Sequence, residues 1–447
     1  MKFLIALIVI SLTLSTLAED PLCFLDNDKF TVCIESGRLA KVTGRRSEKS
    51  YTMRVNSNLT IGSGAFERTS LRFLHLRFGE ADSLRLNDLE LILLPNSFDG
   101  MDELAELEVY NAQINYTGKP LEYLKNLETL TWSSSRLEKV PTELLEGAPN
   151  LKNLEIVNNQ ITVLRANDFA PLRELNKLDL RITQLGKLDA GCFDGLDELT
   201  LLDLSYCQLT HLPDVFSNLK NLKELNLRDC DIATIEPNAL QGMPALQELN
   251  LVGNQLRDIP IGTFDQLPGL RLLLLDRNYW INVKRGLFNN IPSLERLSME
   301  DLQMGSIEPG AFSGMNISVM DLQACDVVVP GAFEGLVVDE MKLAGWHYDR
   351  VPKNFKGLTS RVLDLSSNSI KSIKSDDFAG VTTEIINLHW NSIKEIAPGA
   401  FKNTTVSKII LTKNPIKDVN KTLIGVPESV VIEEDYLEKK WYEDDDD

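Results

Sequence analysis

One short pattern recurs through most of this chain and sets the limits on its fold. Residues 222–232 carry Leu222, Leu225, Leu227 and Ile232 at the first, fourth, sixth and eleventh places, with Cys230 at the ninth. Residues 246–256 repeat it as Leu246, Leu249, Leu251 and Leu256, with Asn254 at the ninth. The fourth-place residue returns at Leu107, Leu130, Leu154, Leu178, Leu202, Leu225, Leu249, Leu273, Leu297, Met320, Met341, Leu363, Ile386 and Ile409, at intervals of 21 to 24 residues. So many matches in register form a specific signal of stacked supersecondary units. A chain of 447 residues would otherwise imply several globular domains, but stacked coils grow without needing a new core for each block.

Each period reads as two halves. The fourth and sixth places belong to a short strand whose apolar side chains point inward, while alternate places point to an open face. The ninth place is Asn159, Asn254, Asn278, Asn368, Asn391 or Asn414 in several periods. An amide there can satisfy loop backbone groups that would otherwise be buried without partners. The return half carries Phe169, Phe193, Phe216, Phe264, Phe288, Phe312, Phe333, Phe355, Phe378 and Phe401, which are expected to stack as a second core. Residues 51–106 are the least regular: Leu74 and Leu84 are too close together for both to open full coils.

This pattern resembles the leucine-rich repeat family, over roughly residues 51–420. The resemblance implies an α/β solenoid, a horseshoe with a parallel sheet on the concave face and loops or short helical turns on the convex face. Extracellular members of the family usually carry a four-cysteine N-terminal cap, whereas this sequence has only Cys23 and Cys33 there. The family's cysteine-rich C-terminal cap is missing too. The family also accepts cysteine at the ninth place, which accounts for Cys207, Cys230 and Cys325 as thiols, and Cys192 replaces alanine before Phe193.

The first 18 residues look like a secretory signal: Lys2, an apolar run, then small residues ending at Ala18. The expected organisation is a signal peptide over 1–18, an N-terminal cap over 19–50, a solenoid over 51–425, and a C-terminal cap with an acidic tail over 426–447. Cleavage after the signal places the mature chain outside the cell with no membrane anchor. That oxidising compartment favours a Cys23–Cys33 disulfide. Sequons at Asn115, Asn316, Asn403 and Asn420 are then glycan acceptors. Asn58 also opens a sequon, but a ninth-place reading would bury it.

Catalytic and metal-binding patterns find no footing. His75, His211, His347 and His389 show no ligand spacing, the serines form no nucleophile elbow, and no glycine run has a phosphate-binding pattern. Glu106 and Glu108 fall on one open face rather than in a cleft. We therefore expect no enzyme, no cofactor and no metal. The net charge of −19 disfavours nucleic acid. What remains is binding through the third, fifth, seventh and eighth places. They are acidic in the first half, at Glu106, Glu108, Glu155, Asp179, Asp203, Glu224 and Glu248, and interrupted by apolar residues. The apolar set comprises Leu201 and Tyr206, Leu272 and Leu274, then Val362, Ile385, Trp390 and Ile410, with Trp390 as the natural anchor. The expected function is recognition of proteins or glycoproteins, in the manner of invertebrate innate-immune proteins. Its rivals are a stabilising, non-catalytic subunit of a secreted enzyme, and matrix or adhesion roles with a homodimer formed through the concave face.

Overall fold

Apolar teeth repeated once per coil are buried best when each strand hydrogen-bonds to the equivalent strand of the next coil. The computed structural model describes residues 22–434, apart from 27–28, 46, 68, 80–88, 280–281, 292, 303–305, 323–330, 346 and 353–354. The segment expected to be a signal peptide, Leu84, Cys325 and the acidic tail lie outside the described residues. Internal packing divides the chain into two units. The first runs to Ile232 and includes Asn238–Leu246; the second comprises Ala233–Pro237 and the residues from Gln247.

The first unit opens with an antiparallel hairpin, Leu22–Asp26 against Phe30–Glu35, in which Cys23 stands opposite Cys33 and is disulfide-bonded to it. Arg38–Gly44 joins the hairpin antiparallel, after which the sheet continues in parallel through Leu59–Ile61, Glu90–Leu93 and Gln113–Tyr116. Tyr51 fastens this cap to the first coil. Its hydroxyl donates to Asp26 at 2.6 Å, and its ring stacks on Phe30 at 4.3 Å. Burial, and then the Asp26 carboxylate, hold that phenol well above its usual range.

The main sheet of the first unit is parallel. It runs through Ser50–Val55, Phe73–Phe78, Glu106–Tyr110, Thr129–Ser133, Asn153–Glu155, Lys177–Asp179, Leu201–Asp203 and Glu224–Asn226. Leu74, Leu107, Leu130, Leu154, Leu178, Leu202 and Leu225 follow one another as register partners. Leu74 therefore carries a full coil. The stretch 51–106 reads irregularly because its return halves are strands as well, so the first coils carry a sheet on two walls.

In the second unit the parallel sheet runs through Glu248–Asn250, Leu272–Leu274, Ser293–Ser298, Asn316–Asp321, Val337–Lys342, Thr359–Asp364, Thr382–Asn387, Lys408–Ile410 and Val431–Glu433. The last strand, Val431–Glu433, falls within the segment read from sequence as the C-terminal cap. It follows a single-turn helix, Lys421–Ile424, whose first turn is capped by Asn420 accepting from the Leu423 amide at 2.9 Å.

Two ladders hold successive coils together. Phe264, Phe288, Phe312, Phe333 and Phe355 stack with centroids 5.7 to 6.2 Å apart, and Phe193 stacks on Phe216 at 5.5 Å in the first unit. Each buried ring or leucine of this kind contributes on the order of 1.5–3 kcal/mol. The ninth-place amides form the other ladder. The Asn159 amide donates to Trp132 O and Val157 O, while its oxygen accepts from the Ser135 and Leu137 amides. Asn278, Asn368, Asn391 and Asn414 repeat the donor half in the second unit. Cys230 takes the same place with its thiol donating to Leu204 O at 3.0 Å, and Cys192 and Cys207 are buried thiols as well.

Candidate partner-binding surface

From Asn153–Glu155 onward the strands of the main sheets end at the fifth place of each coil, for instance Leu201–Asp203 and Leu272–Leu274. The chain then turns sharply, and fifth-place side chains make that turn possible. Asp179, Asp203 and Asn226 accept from the backbone amides of Arg181, Ser205 and Arg228, two residues on. Asn250, Asp364 and Asn387 do so in the second unit. Carboxylates expected to colour an open face are thus partly engaged by the backbone. Asp179 is only 2% exposed, a correction to its reading as a surface acid. Burial raises its carboxyl above the ordinary range; the Arg181 amide and guanidinium oppose this, and the charges of Asp203 and Glu155 add to it.

The eighth place does not continue the strand. It is a left-handed turn, with φ of 56° at Asn158, 58° at Ile182 and Tyr206, and 51° at Asp229 in the first unit. Gly253, Arg277, Gly345, Ser367, Trp390 and Lys413 share that conformation in the second. Glycine and asparagine adopt it readily, whereas branched and bulky side chains incur about 1–2 kcal/mol. Ile182 is 48% exposed, Tyr206 50% and Trp390 67%, so burial offsets that cost only in part. Sequence reading missed Ile182, although its place in the register, next to a run of short polar residues elsewhere, was the available signal.

In the first unit the acids at the strand ends are largely engaged. His75 lies 3.3 Å from Glu106 and 3.8 Å from Glu108, and Arg77 bonds Glu108 at 3.2 Å. Lys177 pairs with Glu155 at 2.6 Å and Arg181 with Asp179 at 3.3 Å. Asp203 meets neutral donors, Ser205 and Asn226, and Glu224 projects into solvent. Leu201 is half-buried beside Glu224 and Lys177.

In the second unit, Leu272 and Leu274 are half-buried between Glu248 and Arg296 on one row and Asn250 and Ser298 on the other. Val362 and Ile385 are direct register partners, and Ile410 sits one strand on, paired with Asn387. Trp390 is not part of that group. It stands five residues beyond Ile385, past Asn387 and His389, whose ring nitrogen lies 2.6 Å from the Thr412 hydroxyl. The expected patch is therefore two features. This unit also holds an acidic set that sequence reading did not place. Asp276 accepts from Ser298 and the Glu300 amide, both at 2.6 Å, and Arg296 reaches Asp321 at 2.6 Å. Burial, then the charges of Asp321 and Asp276, raise the Glu300 carboxyl.

Asn115, Asn316, Asn403 and Asn420 are all exposed. Asn58 is exposed too, with its oxygen accepting from the Glu90 amide at 3.0 Å, which corrects the ninth-place reading.

A family model described as leucine rich repeat matches residues 125–185, 173–232 and 220–280, and one described as BspA type leucine rich repeat region matches 353–423. Together these cover just over half of the chain. It belongs to the leucine-rich repeat family. Among curated relatives, this leucine-rich repeat protein is 26% identical over 178 residues to the human volume-regulated anion channel subunit LRRC8D. The match takes in 38% of the chain but only 17% of that relative's length. Among solved structures, the fold is similar to one from the Toll–Spatzle complex of Drosophila, at 17% identity and a TM-score of 0.57, covering 89% of this chain and 68% of the other. A chain of the TLR13–ssRNA13 complex is similar at 18% identity and a TM-score of 0.50, covering 85% and 73%. No helix among the described residues is long and apolar enough to cross a membrane.

Proposed function

We propose that this leucine-rich repeat protein is secreted and binds other proteins or glycoproteins through the open faces of its sheets, without transforming them. One observation carries the reading: Trp390 projects into solvent from a left-handed turn on a backbone whose amides are bonded coil to coil. Side chains held on such a scaffold lose little freedom on association, and an exposed tryptophan is a strong anchor. The fold likeness to a chain from the Toll–Spatzle complex supports innate-immune recognition as the setting. An RNA ligand, such as the one in the TLR13 complex, fits less well with a chain of net charge −19. Glycans on Asn403 and Asn420 would stand clear of the strand rows, whereas those on Asn115 and Asn316 would project from exposed strand positions.

The test is affinity capture from native extracellular fluid with the wild type and with Trp390→Ala. Recovery of a defined protein or glycoprotein by the wild type, lost at least tenfold in the variant, supports the reading. Equal recovery by both removes Trp390 as the anchor. Co-recovery of an enzyme in fixed proportion would move the role to that of a stabilising subunit.

A further inference from the structure

Ile182 and Tyr206 occupy the same place in neighbouring coils of the first unit. Asp179 pairs with Asp203 in register, and three residues on, the Ile182 amide donates to Ser205 O at 2.9 Å. The two side chains form a ledge along the edge of the sheet, each about half exposed. Both backbones hold a conformation that their side chains resist and that Asn158 and Asp229, in the flanking coils, adopt with short polar groups. Neither side chain gains enough burial within the chain to explain its presence.

The charge beside the ledge has one sign in excess. Across the six strands from Glu106–Tyr110 to Glu224–Asn226, the third and fifth places hold Glu106, Glu108, Glu155, Asp179, Asp203 and Glu224 against the single lysine Lys177. The nearby Arg181 is already paired with Asp179 at 3.3 Å, and Arg228 with Asp229 at 3.0 Å while also bonding the Tyr206 side chain. Asp203 and Glu224 have no lysine or arginine partner among the described residues; Asp203 ends the strand that leads into Tyr206, and Glu224 lies on the next strand opposite Leu201.

We propose that this ledge docks a basic amphipathic segment of a protein partner, with an aliphatic or aromatic side chain seated on Ile182 and Tyr206 and a lysine or arginine on Asp203 and Glu224. The proposal rests on the recognition role above but names a separate site in the other unit and the chemistry of its occupant. Burial of the ledge would supply affinity, and the Asp203 and Glu224 carboxylates, which lack a cationic partner, would supply orientation and sign selectivity.

The test uses the full-length glycoprotein, immobilised, and three synthetic peptides of equal length: alternating lysine and leucine, alternating glutamate and leucine, and alternating lysine and serine. The lysine–leucine peptide is expected to bind at least tenfold tighter than either control, and more weakly as salt is raised. The double variant Ile182→Asn with Tyr206→Asn should weaken it about tenfold or more while the melting temperature holds or rises, because asparagine suits the turn. Glu224→Gln should weaken it by about twofold to fivefold and flatten the salt dependence. Wild-type binding by the double variant, equal binding of the lysine–serine or glutamate–leucine peptide, or a fall in melting temperature would each overturn the proposal. Trp390→Ala serves as the discriminator. If it leaves peptide binding intact yet captures the native partner normally, the Trp390 reading fails alone; if it abolishes peptide binding, the ledge fails and the Trp390 site stands.

Discussion

Asn278→Ala probes the claim that ninth-place amides hold the coils together. In the native chain the Asn278 amide donates to Leu251 O at 3.0 Å and Leu275 O at 2.8 Å, and its oxygen accepts from the Leu256 amide at 3.1 Å. Asn278 and Leu256 are both nearly inaccessible, so water cannot replace these bonds without opening the coil. Each buried group left without a partner costs roughly 1–3 kcal/mol, and the alanine strands one donor and weakens two acceptors. The expected loss is about 3–5 kcal/mol. Asn278→Cys should be milder, at about 1–2 kcal/mol, since the Cys230 thiol already donates to Leu204 O at 3.0 Å and Arg228 O at 3.4 Å in the equivalent place. Sulfur accepts poorly, so the Leu256 amide is the group that cysteine fails to serve.

Urea unfolding gives the total, and hydrogen exchange at the Leu256 amide locates it, which matters because repeat stacks can open in parts. In the alanine variant that amide should lose most of its protection. If Asn278→Ala stays within about 0.5 kcal/mol of the wild type, or if cysteine is as damaging as alanine, the ladder is decoration and coil stacking rests on leucine packing alone.

Three further outcomes are expected. Phe312→Ala should cost about 3–5 kcal/mol in urea unfolding, because Phe312 is fully buried between Phe288 at 5.7 Å and Phe333 at 6.2 Å. Asp179→Asn should be neutral or stabilising at pH 7, by on the order of 1 kcal/mol at most. The folded state raises this carboxyl, so it binds protons more readily than the unfolded chain, and its burial penalty is relieved as pH falls through the folded value. The asparagine variant should therefore show a shallower gain in stability on mild acidification, read from urea midpoints across that range. Finally, secretion from a eukaryotic host followed by enzymatic deglycosylation should shift the mass by glycans on some or all of Asn115, Asn316, Asn403 and Asn420. An unmodified chain would count against the extracellular reading.

The repeat made most of the fold legible, because a fourth-place residue that is buried in every coil leaves a period no other architecture needs. Leu107 through Leu225 stand as register partners as that period requires, the phenylalanines stack, and the ninth-place asparagines bond as expected. The first coils were harder. Residues 59–61 and 90–93 form strands in the return half, where the sequence offers only short apolar runs that do not differ from packed loops. The eighth place was misread for a reason of counting. Alternation holds only while the backbone is extended, and these strands end at the fifth place, so a rule of two carried further assigns the wrong geometry. Asp179 and Asp203 misled in a related way: acids read as partner-facing are also the acceptors that terminate the strand.

Those two corrections bear on function together. A left-handed turn at the eighth place is imposed by the coil, so what varies is the side chain that must tolerate it. Gly253, Gly345 and Asn158 solve the backbone problem and do nothing more. Ile182, Tyr206 and Trp390 solve it at a cost of about 1–2 kcal/mol each, which their partial burial, and for Tyr206 a contact with Arg228, offsets only in part. Scattered apolar residues on an open strand face, such as Leu272 between Glu248 and Arg296, carry no such penalty and need no partner to explain them. The strained and exposed residues, rather than the merely apolar ones, are therefore where contact with another molecule has something to recover.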